Sequence, residues 1–239
     1  MQELLKLIQE RKSSRIAYDP ERTITNEDLK QILEAARWTP TAHNMQNYEI
    51  VVVNDKKLLK DIGDIKFPVS ETFIKENYQQ MSFSEEELMR KKVGVLGTMF
   101  PPFMRNPDFK IEDAKEIENP FMKELVRTST ALLIVLYDPG KRAPASEGDF
   151  LGILSLGCLM ENIWLMANSL GIGLHILSTL SSEGVEIEVK KILKIPEELK
   201  IAFSCRLGYP KTVPGKYLRV RRDIEDFTHH NIYGNKGIK

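Results

Sequence analysis

The amino-acid sequence predicts an α+β fold, in which helices cover a β-sheet. Two observations carry this prediction. Four short segments are rich in β-branched and other apolar residues, as strands are, and segments with helical spacing lie before and between them. The strand segments are spaced too unevenly along the chain for regular β-α-β winding, so helices and strands are expected to form layers.

Helices are predicted where apolar residues recur at helical spacing, namely at residues 2–11, at residues 26–38, near residues 148–170 and at about residues 183–194. The predicted strands are, in chain order, YEIVVVN, TALLIVLYD, GIGLHIL and KIAFSCRLGYP. The order of elements is two helices, a strand, an insertion, then strand, helix, strand, helix and strand, followed by a polar tail.

A chain of 239 residues, of which 42% are hydrophobic and 28% charged, is long enough to bury one large core. We therefore expect a single domain over residues 1–239, with an insertion at about residues 65–125 and a C-terminal arm at about residues 209–239. Aromatic and Met residues surround prolines in the insertion, which favours either a lid over a ligand or a cluster that covers a sheet edge.

The composition excludes some classes of partner. The chain has 34 Lys+Arg and 34 Asp+Glu, so it lacks the net positive charge of nucleic-acid-binding proteins. The apolar stretch at residues 150–170 is interrupted by one Glu and two Asn residues, which predicts a helix buried in protein and not in a membrane. Cys158 and Cys205 lack CxxC spacing and are interpreted as reduced core residues of a cytoplasmic protein.

Several motifs of catalytic proteins are missing. The glycines never form the GxGxxG pattern of dinucleotide-binding domains, and the sequence has no P-loop, HExxH or GxSxG motif. The histidines and cysteines do not combine at the spacing of zinc ligands. The sequence therefore predicts no metal site and assigns no side chain to catalysis, and reactivity borrowed from a cofactor is expected.

The segment RKSSR follows the first predicted helix and offers two guanidinium groups, an ammonium group and two hydroxyls. Arg presents a planar fork that matches phosphate oxygens, and each charge-assisted hydrogen bond contributes about 1.5–3 kcal/mol. The same residues would suit a solvated helix C-terminus, where cations complement the helix dipole. Taken alone, the second interpretation is favoured.

Three other segments are also ambiguous when taken singly. RWTPTAHNMQNYEIVVV leads from a helix through Pro40 into a strand, as a plain connection or as a loop that contacts a flat polar ring. GIGLHILSTLSS carries a strand into small residues, which either cap the next helix or donate amide hydrogen bonds to a ligand carbonyl. RVRR in the tail is either a solvated basic surface or a second set of phosphate ligands.

Together, in this order, the segments resemble the FMN-dependent nitroreductase family of NAD(P)H oxidoreductases. The resemblance is carried by RKSSR, ILEAARWTPTAHNMQNYEIVVV, LGCLMENIWLMANSLGIG, HILST, LGYP and RVRRDIEDF. It covers about residues 3–64 and 128–229 and leaves the insertion outside.

The resemblance implies a nitroreductase-like mixed, mainly antiparallel sheet flanked by helices, in an intertwined homodimer with FMN at the subunit interface. It implies that NADH or NADPH transiently delivers a hydride to flavin N5, and that a nitroaromatic, a quinone or a similar small acceptor then takes the electrons in a ping-pong mechanism. The flavin-binding residues that it implies are Arg11, Lys12, Ser13, Arg15, Pro40, Thr41, Ala42, Asn44, Gln46, Ile176, Leu177, Ser178, Thr179, Arg219 and Arg221.

The resemblance also implies a role for each group of residues. Arginines from the head and the tail, with Ser13, would hold the flavin phosphate, and Arg15 would point to the N1/O2 edge. Residues 40–46 would come from the partner subunit, residues 176–177 would pack on one flavin face, and the amides of residues 178–179 would bond N5 and O4.

Three places depart from the family pattern, and one of them is Ser178, where some members carry Glu. Asn47-Tyr48 follows Gln46 where Pro and an aromatic residue are common, and His43 stands where a small residue is usual. These departures leave open the acceptor, the choice between NADH and NADPH, and whether His43 contacts the substrate. Two alternatives remain: a flavin store or sensor without turnover, and a lid-gated relative of the dehalogenase or flavin-cleaving type.

Overall fold

A computed structural model describes residues 2–69, 71–99, 120–144, 148–212 and 218–238. The chain divides into two compact units. One comprises Met1–Phe67 and Asn119–Pro214, and the other comprises Pro68–Glu118 and Gly215–Lys239. The second unit thus combines most of the predicted insertion with most of the predicted C-terminal arm, and the single domain stays a prediction.

The first unit contains a four-stranded sheet in which neighbouring strands pair antiparallel. In spatial order the strands are β1 (Tyr48–Val53), β4 (Ala131–Tyr137), β6 (Lys200–Gly208) and β5 (Gly173–Ile176). They are the four strands that the sequence predicts, with slightly shorter bounds. Strand β4 is apolar throughout and buried over residues 131–136, as expected for a strand that is covered on both faces.

Each face of the sheet packs against its own hydrophobic cluster, because side chains alternate along a strand. The first cluster contains residues of α2 (Asn26–Arg37) and α7 (Phe150–Ser169). The second contains residues of α3 (Lys56–Gly63), α6 (Pro120–Arg127) and α8 (Glu183–Leu193). The sheet is therefore the middle layer of three, and the predicted α+β class is confirmed.

The first helix, α1 (Gln2–Glu10), lies against α7 and leaves its leucines Leu4 and Leu5 exposed. The four helices predicted from the sequence are present, whereas α3 and α6 were not predicted. The sequence does carry a signal for α3, because the Asp55 carboxylate accepts a hydrogen bond from the Leu58 amide at 2.9 Å and caps the helix.

Helix α7 is 20 residues long, and by length and composition it would be able to cross a membrane. It instead supplies one side of a protein core, since Leu159, Ile163 and Ala167 are fully buried against the sheet. On its other side Phe150 and Ile153 are exposed. The helix therefore has one packed apolar side and one uncovered apolar side, which explains its largely apolar sequence.

The second unit is built from short elements. Those described are α4 (Glu71–Phe73), a π-helical segment (Ile74–Gln80), β2 (Ser82–Phe83), α5 (Glu85–Lys91), β3 (Val95–Leu96) and α9 (Ile224–Phe227). Helix α5 begins with a capping box between Ser84 and Glu87. An ion pair between Lys92 and Asp223 joins the insertion to the tail within this unit. The Pro-rich stretch, predicted as either a lid or a cover for a sheet edge, lies mostly in residues 100–119, outside the described residues.

The two cysteines have different environments. Cys205 is fully buried in β6, as predicted, and burial raises the pKa of its thiol. Cys158 is exposed, so the prediction of a core position for it is wrong. It lies one helical turn after the exposed Leu154, on the uncovered side of α7. Both thiols are free.

Candidate functional site

The basic segment RKSSR lies along strand β5, which is an edge strand of the main sheet. Ser13 forms a parallel bridge with Leu174, and the Ser14 amide donates a hydrogen bond to the Leu174 carbonyl at 2.8 Å. The segment thereby covers part of the open edge that β5 would otherwise present. Two motifs that are far apart in the sequence, RKSSR and GLHILST, are neighbours in the fold.

The side chains of this segment differ in exposure. Ser14 is buried and Ser13 is half-buried, whereas Lys12 and Arg15 are exposed. Arg11 is half-buried, with 22% of its side chain exposed. The bridge to β5 therefore holds the backbone in place while the cationic groups remain near the surface.

Arg11 is oriented by two residues of helix α7. Its guanidinium lies 4.4 Å from the ring centroid of Trp164, and its Nε is 3.3 Å from Glu161 Oε1. The Trp164 ring nitrogen also donates a hydrogen bond to the Lys12 carbonyl at 3.2 Å. Within the described chain, the buried Arg11 Nε makes an ion pair but no hydrogen bond of good geometry. Arg11 is thus held by stacking and charge, with hydrogen-bonding capacity left over.

Strand β5 leads into a helical turn at Ser178–Ser181. Leu177 is buried, and its amide donates to the Ser204 carbonyl at 2.8 Å, while Ile176 is half-buried. Ser178 and Thr179 open the turn, so their amides have no carbonyl partner within it. Apolar side chains at the end of β5 therefore precede backbone donors at the start of the turn. This arrangement suits a ligand that carries carbonyl groups, which is one of the two interpretations that the sequence leaves open.

The predicted loop at residues 40–46 packs against the other half of α7. The Ala42 amide donates to Ser155 Oγ at 3.1 Å, and the Asn162 amide group donates to Thr39 Oγ1 at 3.1 Å. Within the loop, the Gln46 amide donates to Thr41 Oγ1 at 3.1 Å. The bonds at Thr39 and Ala42 attach the start of the loop to the helix.

Three residues of this loop have a left-handed backbone. The φ angles are 52° at His43, 53° at Asn44 and 46° at Gln46. Left-handed angles are uncommon for residues other than Gly, and they cluster at functional sites because surrounding structure must hold them. Here the Gln46 side chain donates to Asn44 Oδ1 at 3.1 Å, which helps to hold the conformation.

The loop and the basic segment meet α7 at different places. The loop contacts Ser155, and the basic segment contacts Glu161 and Trp164. Ser155 and Trp164 lie about 13.5 Å apart along the helix axis, at 1.5 Å per residue. One chain thus brings RKSSR and HILST together and attaches the loop at residues 40–46 to α7 through Ser155.

The tail arginines belong to the second unit. Arg219 and Arg221 are exposed, and Arg221 Nη1 donates to the Val220 carbonyl at 2.7 Å. Their predicted role at the phosphate stays a prediction. Among the residues that the structure describes, no cluster of His, Cys, Asp and Glu is suited to hold a metal ion.

Sequence reasoning missed four residues around the basic segment: Tyr18, Glu161, Trp164 and Arg206. Glu161 and Trp164 are three residues apart, and this spacing, which places them on one helix face, is a signal that the sequence does carry. Tyr18 and Arg206 carry no such signal, because only the fold makes them neighbours.

His175 lies in β5 opposite Arg206 of β6, and its Nδ1 is buried without a hydrogen-bond partner in the described chain. Burial, and then the positive charges of Arg15 and Arg206, lower the pKa of His175 to about 3. The imidazole is therefore neutral at physiological pH and is poorly suited to give up a proton there.

We predict that the free energy of unfolding falls as the pH is lowered from about 7 to 5. In that range the unfolded chain binds a proton at His175 that the folded chain does not, which costs up to about 2 kcal/mol. Urea unfolding at each pH measures the free energy of unfolding, and His175→Asn should reduce the slope of this free energy against pH. His43→Asn changes an exposed histidine in a conformation that Asn readily adopts, and it is the control. An unchanged slope in His175→Asn contradicts the prediction.

The model of the nitroreductase family matches residues 8–209. A protein from Archaeoglobus fulgidus, named as an NADH dehydrogenase/NAD(P)H nitroreductase, is 26% identical over 211 residues, which cover 88% of this chain and 87% of that protein. An NADPH-dependent oxidoreductase from Staphylococcus haemolyticus is 19% identical over 215 residues, or 90% of this chain and 68% of that protein.

Solved structures share the fold. A nitroreductase with bound FMN from Bacteroides fragilis has a TM-score of 0.56 at 21% identity, over 96% of this chain and 98% of that chain. A nitroreductase in complex with FMN from Desulfovibrio desulfuricans has a TM-score of 0.58 at 16% identity, over 96% and 97%. The family match spans most of this chain and includes both the main sheet and the basic segment docked on it. The resemblance seen in the sequence is thereby confirmed: this protein belongs to the nitroreductase family.

Proposed function

We propose that the protein is a cytoplasmic FMN-dependent oxidoreductase that takes electrons from NADH or NADPH and passes them to a nitroaromatic, a quinone or a similar small acceptor. One observation carries the proposal: the basic segment RKSSR is docked on strand β5, directly before the turn at Ser178–Ser181. The side chains of RKSSR, which suit a phosphate, and the turn, which suits a flavin ring, are thus adjacent in a chain of this family.

The residues present fit a flavin phosphate. Arg11, Lys12 and Arg15 supply three cationic groups within five residues, and Ser13 adds a hydroxyl. Arg11 has hydrogen-bonding capacity that the described chain leaves unused, as its buried Nε shows. A phosphate dianion would use this capacity and would be attracted to all three charges.

The chain supplies binding and orientation, whereas bound FMN would supply the redox chemistry, since its N5 accepts a hydride and its reduced form donates electrons to acceptors. In this proposal the half-buried Ile176 offers an apolar surface beside the buried Leu177, and the amides of Ser178 and Thr179 donate hydrogen bonds to ring heteroatoms. Arg15 would place a positive charge near the N1/O2 edge of the flavin ring, which favours an anionic reduced cofactor. No proton donor is assigned, because the nearby His175 is neutral.

We also propose that the protein is a homodimer. The uncovered side of α7 exposes Phe150, Ile153 and Leu154, and the neighbouring helix α1 exposes Leu4 and Leu5. Exposed apolar side chains on two neighbouring helices are typical of a protein interface. A second chain packed on α7 would offer its own loop at residues 40–46 to the basic segment of the first.

The central test is spectroscopic. We expect purified protein to be yellow or to take up added FMN, to bleach when NADH or NADPH is added without oxygen, and to regain its colour when menadione or a nitroaromatic is added. Absorbance in the flavin region follows each step. Protein that takes up no FMN would refute the proposal. Bound FMN that neither nicotinamide reduces would instead indicate a flavin store or sensor.

The phosphate assignment is tested with Arg11→Ala. Loss of a charge-assisted contact should raise the Kd for FMN at least tenfold, or about 1.4 kcal/mol. Arg90→Ala removes an exposed arginine of α5 and is the matched control, with no change expected. Arg221→Ala tests the predicted tail contribution in the same titration. Wild-type affinity in both Arg11→Ala and Arg221→Ala would show that the phosphate binds elsewhere.

The dimer is tested with Ile153→Glu. A buried charge in an apolar interface should raise the dimer dissociation constant at least tenfold, which sedimentation velocity at several concentrations measures. Ile187→Glu is the matched control, because Ile187 is similarly exposed, at 48% against 60% for Ile153, but lies on α8. If Ile153→Glu sediments like the wild type, the interface is not on this side of α7.

A further inference from the structure

Arg206 is a cation inside the first unit. It lies in strand β6, its side chain is 0% exposed, and it is among the largest fully buried side chains. No carboxylate forms an ion pair with it in the part of the chain that the structure describes. Burial lowers the pKa of its guanidinium to about 10, so the group remains charged at neutral pH.

The groups around Arg206 come mostly from the segment that follows RKSSR. The guanidinium stacks 3.8 Å from the ring centroid of Tyr18, and its Nη1 donates to the Ile16 carbonyl at 3.2 Å. The Nε group donates to Ser129 Oγ at 3.4 Å. Arg206 therefore connects strand β6 to the backbone just beyond the basic cluster.

Tyr18 extends this connection back toward the cluster. Its hydroxyl donates to the Ser14 carbonyl at 3.2 Å, and burial raises the pKa of Tyr18 to about 12, so the hydroxyl keeps its proton. Tyr18 also forms an antiparallel bridge with Pro210. The backbone on either side of Arg15 is thus tied to the strand through one tyrosine and one arginine.

Two glycines make room for this arrangement. A Cβ atom at Gly208 would lie 2.3 Å from Tyr18 Cδ2, and one at Gly173 would lie 2.8 Å from Ser14 Oγ. Both distances are too short for a side chain, so the tyrosine and the basic segment approach the strands closely only because these positions are glycine. Tyr18, Gly173, Arg206 and Gly208 thus all contribute to the conformation of the basic segment.

A purely stabilising role does not account for an arginine at this site. Replacing buried charged groups by apolar residues of similar volume is often neutral or stabilising, because desolvation of the charge is costly. An apolar side chain would fill the same space but would not donate to the Ile16 carbonyl, and it would place no positive charge behind the basic segment.

We propose that Arg206 is a positioning residue, which holds residues 13–18 in the conformation that presents Arg11 and Ser13 to the flavin phosphate and thereby makes the site selective for the phosphorylated flavin. This inference rests on the proposed function. It predicts a specific pattern: loss of Arg206 weakens binding of FMN but not of riboflavin, which has the same ring and no phosphate.

The experiment measures the Kd values for FMN and riboflavin by titration at a temperature well below unfolding. We expect Arg206→Met to lower the preference for FMN over riboflavin at least tenfold, with riboflavin affinity within twofold of the wild type, and Arg206→Lys to restore part of the preference. Arg22→Met is the matched control, because Arg22 stacks 3.5 Å from the Tyr209 ring but makes no contact with residues 13–16 among those described. Its preference should equal that of the wild type.

An unchanged preference for FMN over riboflavin in Arg206→Met would overturn the inference. A parallel loss of affinity for both ligands would also overturn it, since a general defect in folding affects both alike. If Arg206→Met does not fold, Tyr18→Phe gives the same test, because it keeps the ring and removes only the hydrogen bond to Ser14; we expect a selective loss of FMN affinity of about threefold. Failure of the proposed function is distinguishable, because wild-type protein would then bind neither flavin.

Discussion

The hydrogen bond from the Ser14 amide to the Leu174 carbonyl holds the basic segment along the edge of the sheet, and the arrangement of the site follows from it. Without this pairing, Arg11, Lys12 and Arg15 would be three cations on a mobile connection, each with a large entropic cost of ordering. With it, they stand beside the strand that ends at Ser178 and Thr179. The backbone pairing thus orders the cations of the proposed phosphate site, which the side chains alone would not do.

The same segment is secured from behind by polar groups inside the protein. Tyr18 and Arg206 satisfy backbone carbonyls that would otherwise be buried without partners, which is a costly state. A buried arginine without an acidic partner is unusual, because charge is expensive to remove from water. A conformational requirement explains the presence of this arginine, since its stacking on Tyr18 and its hydrogen bond to the Ile16 carbonyl both act on residues 14–18.

Helix α7 organises the rest of the site. Its packed side carries the core, and its partly buried residues hold two separate functional segments, the loop through Ser155 and Asn162 and the basic segment through Glu161 and Trp164. The bond to Ser155 lies nearer the N-terminus of the helix than the other contacts, which fall within residues 161–164. In the proposed dimer, the uncovered apolar side of α7 would pack against a second chain.

The amino-acid sequence by itself determined the four strands and four of the helices, because burial on one or both faces leaves a periodic pattern and caps mark helix ends. It also identified RKSSR and HILST, whose chemistry is local. Only the tertiary structure decided that they are neighbours, that Cys158 is exposed, and that Tyr18 and Arg206 stack, because pairing between distant segments leaves no local pattern. Contacts of this kind depend on the register of β5 and β6 and on the space left by Gly173 and Gly208, which exist only once the sheet has formed.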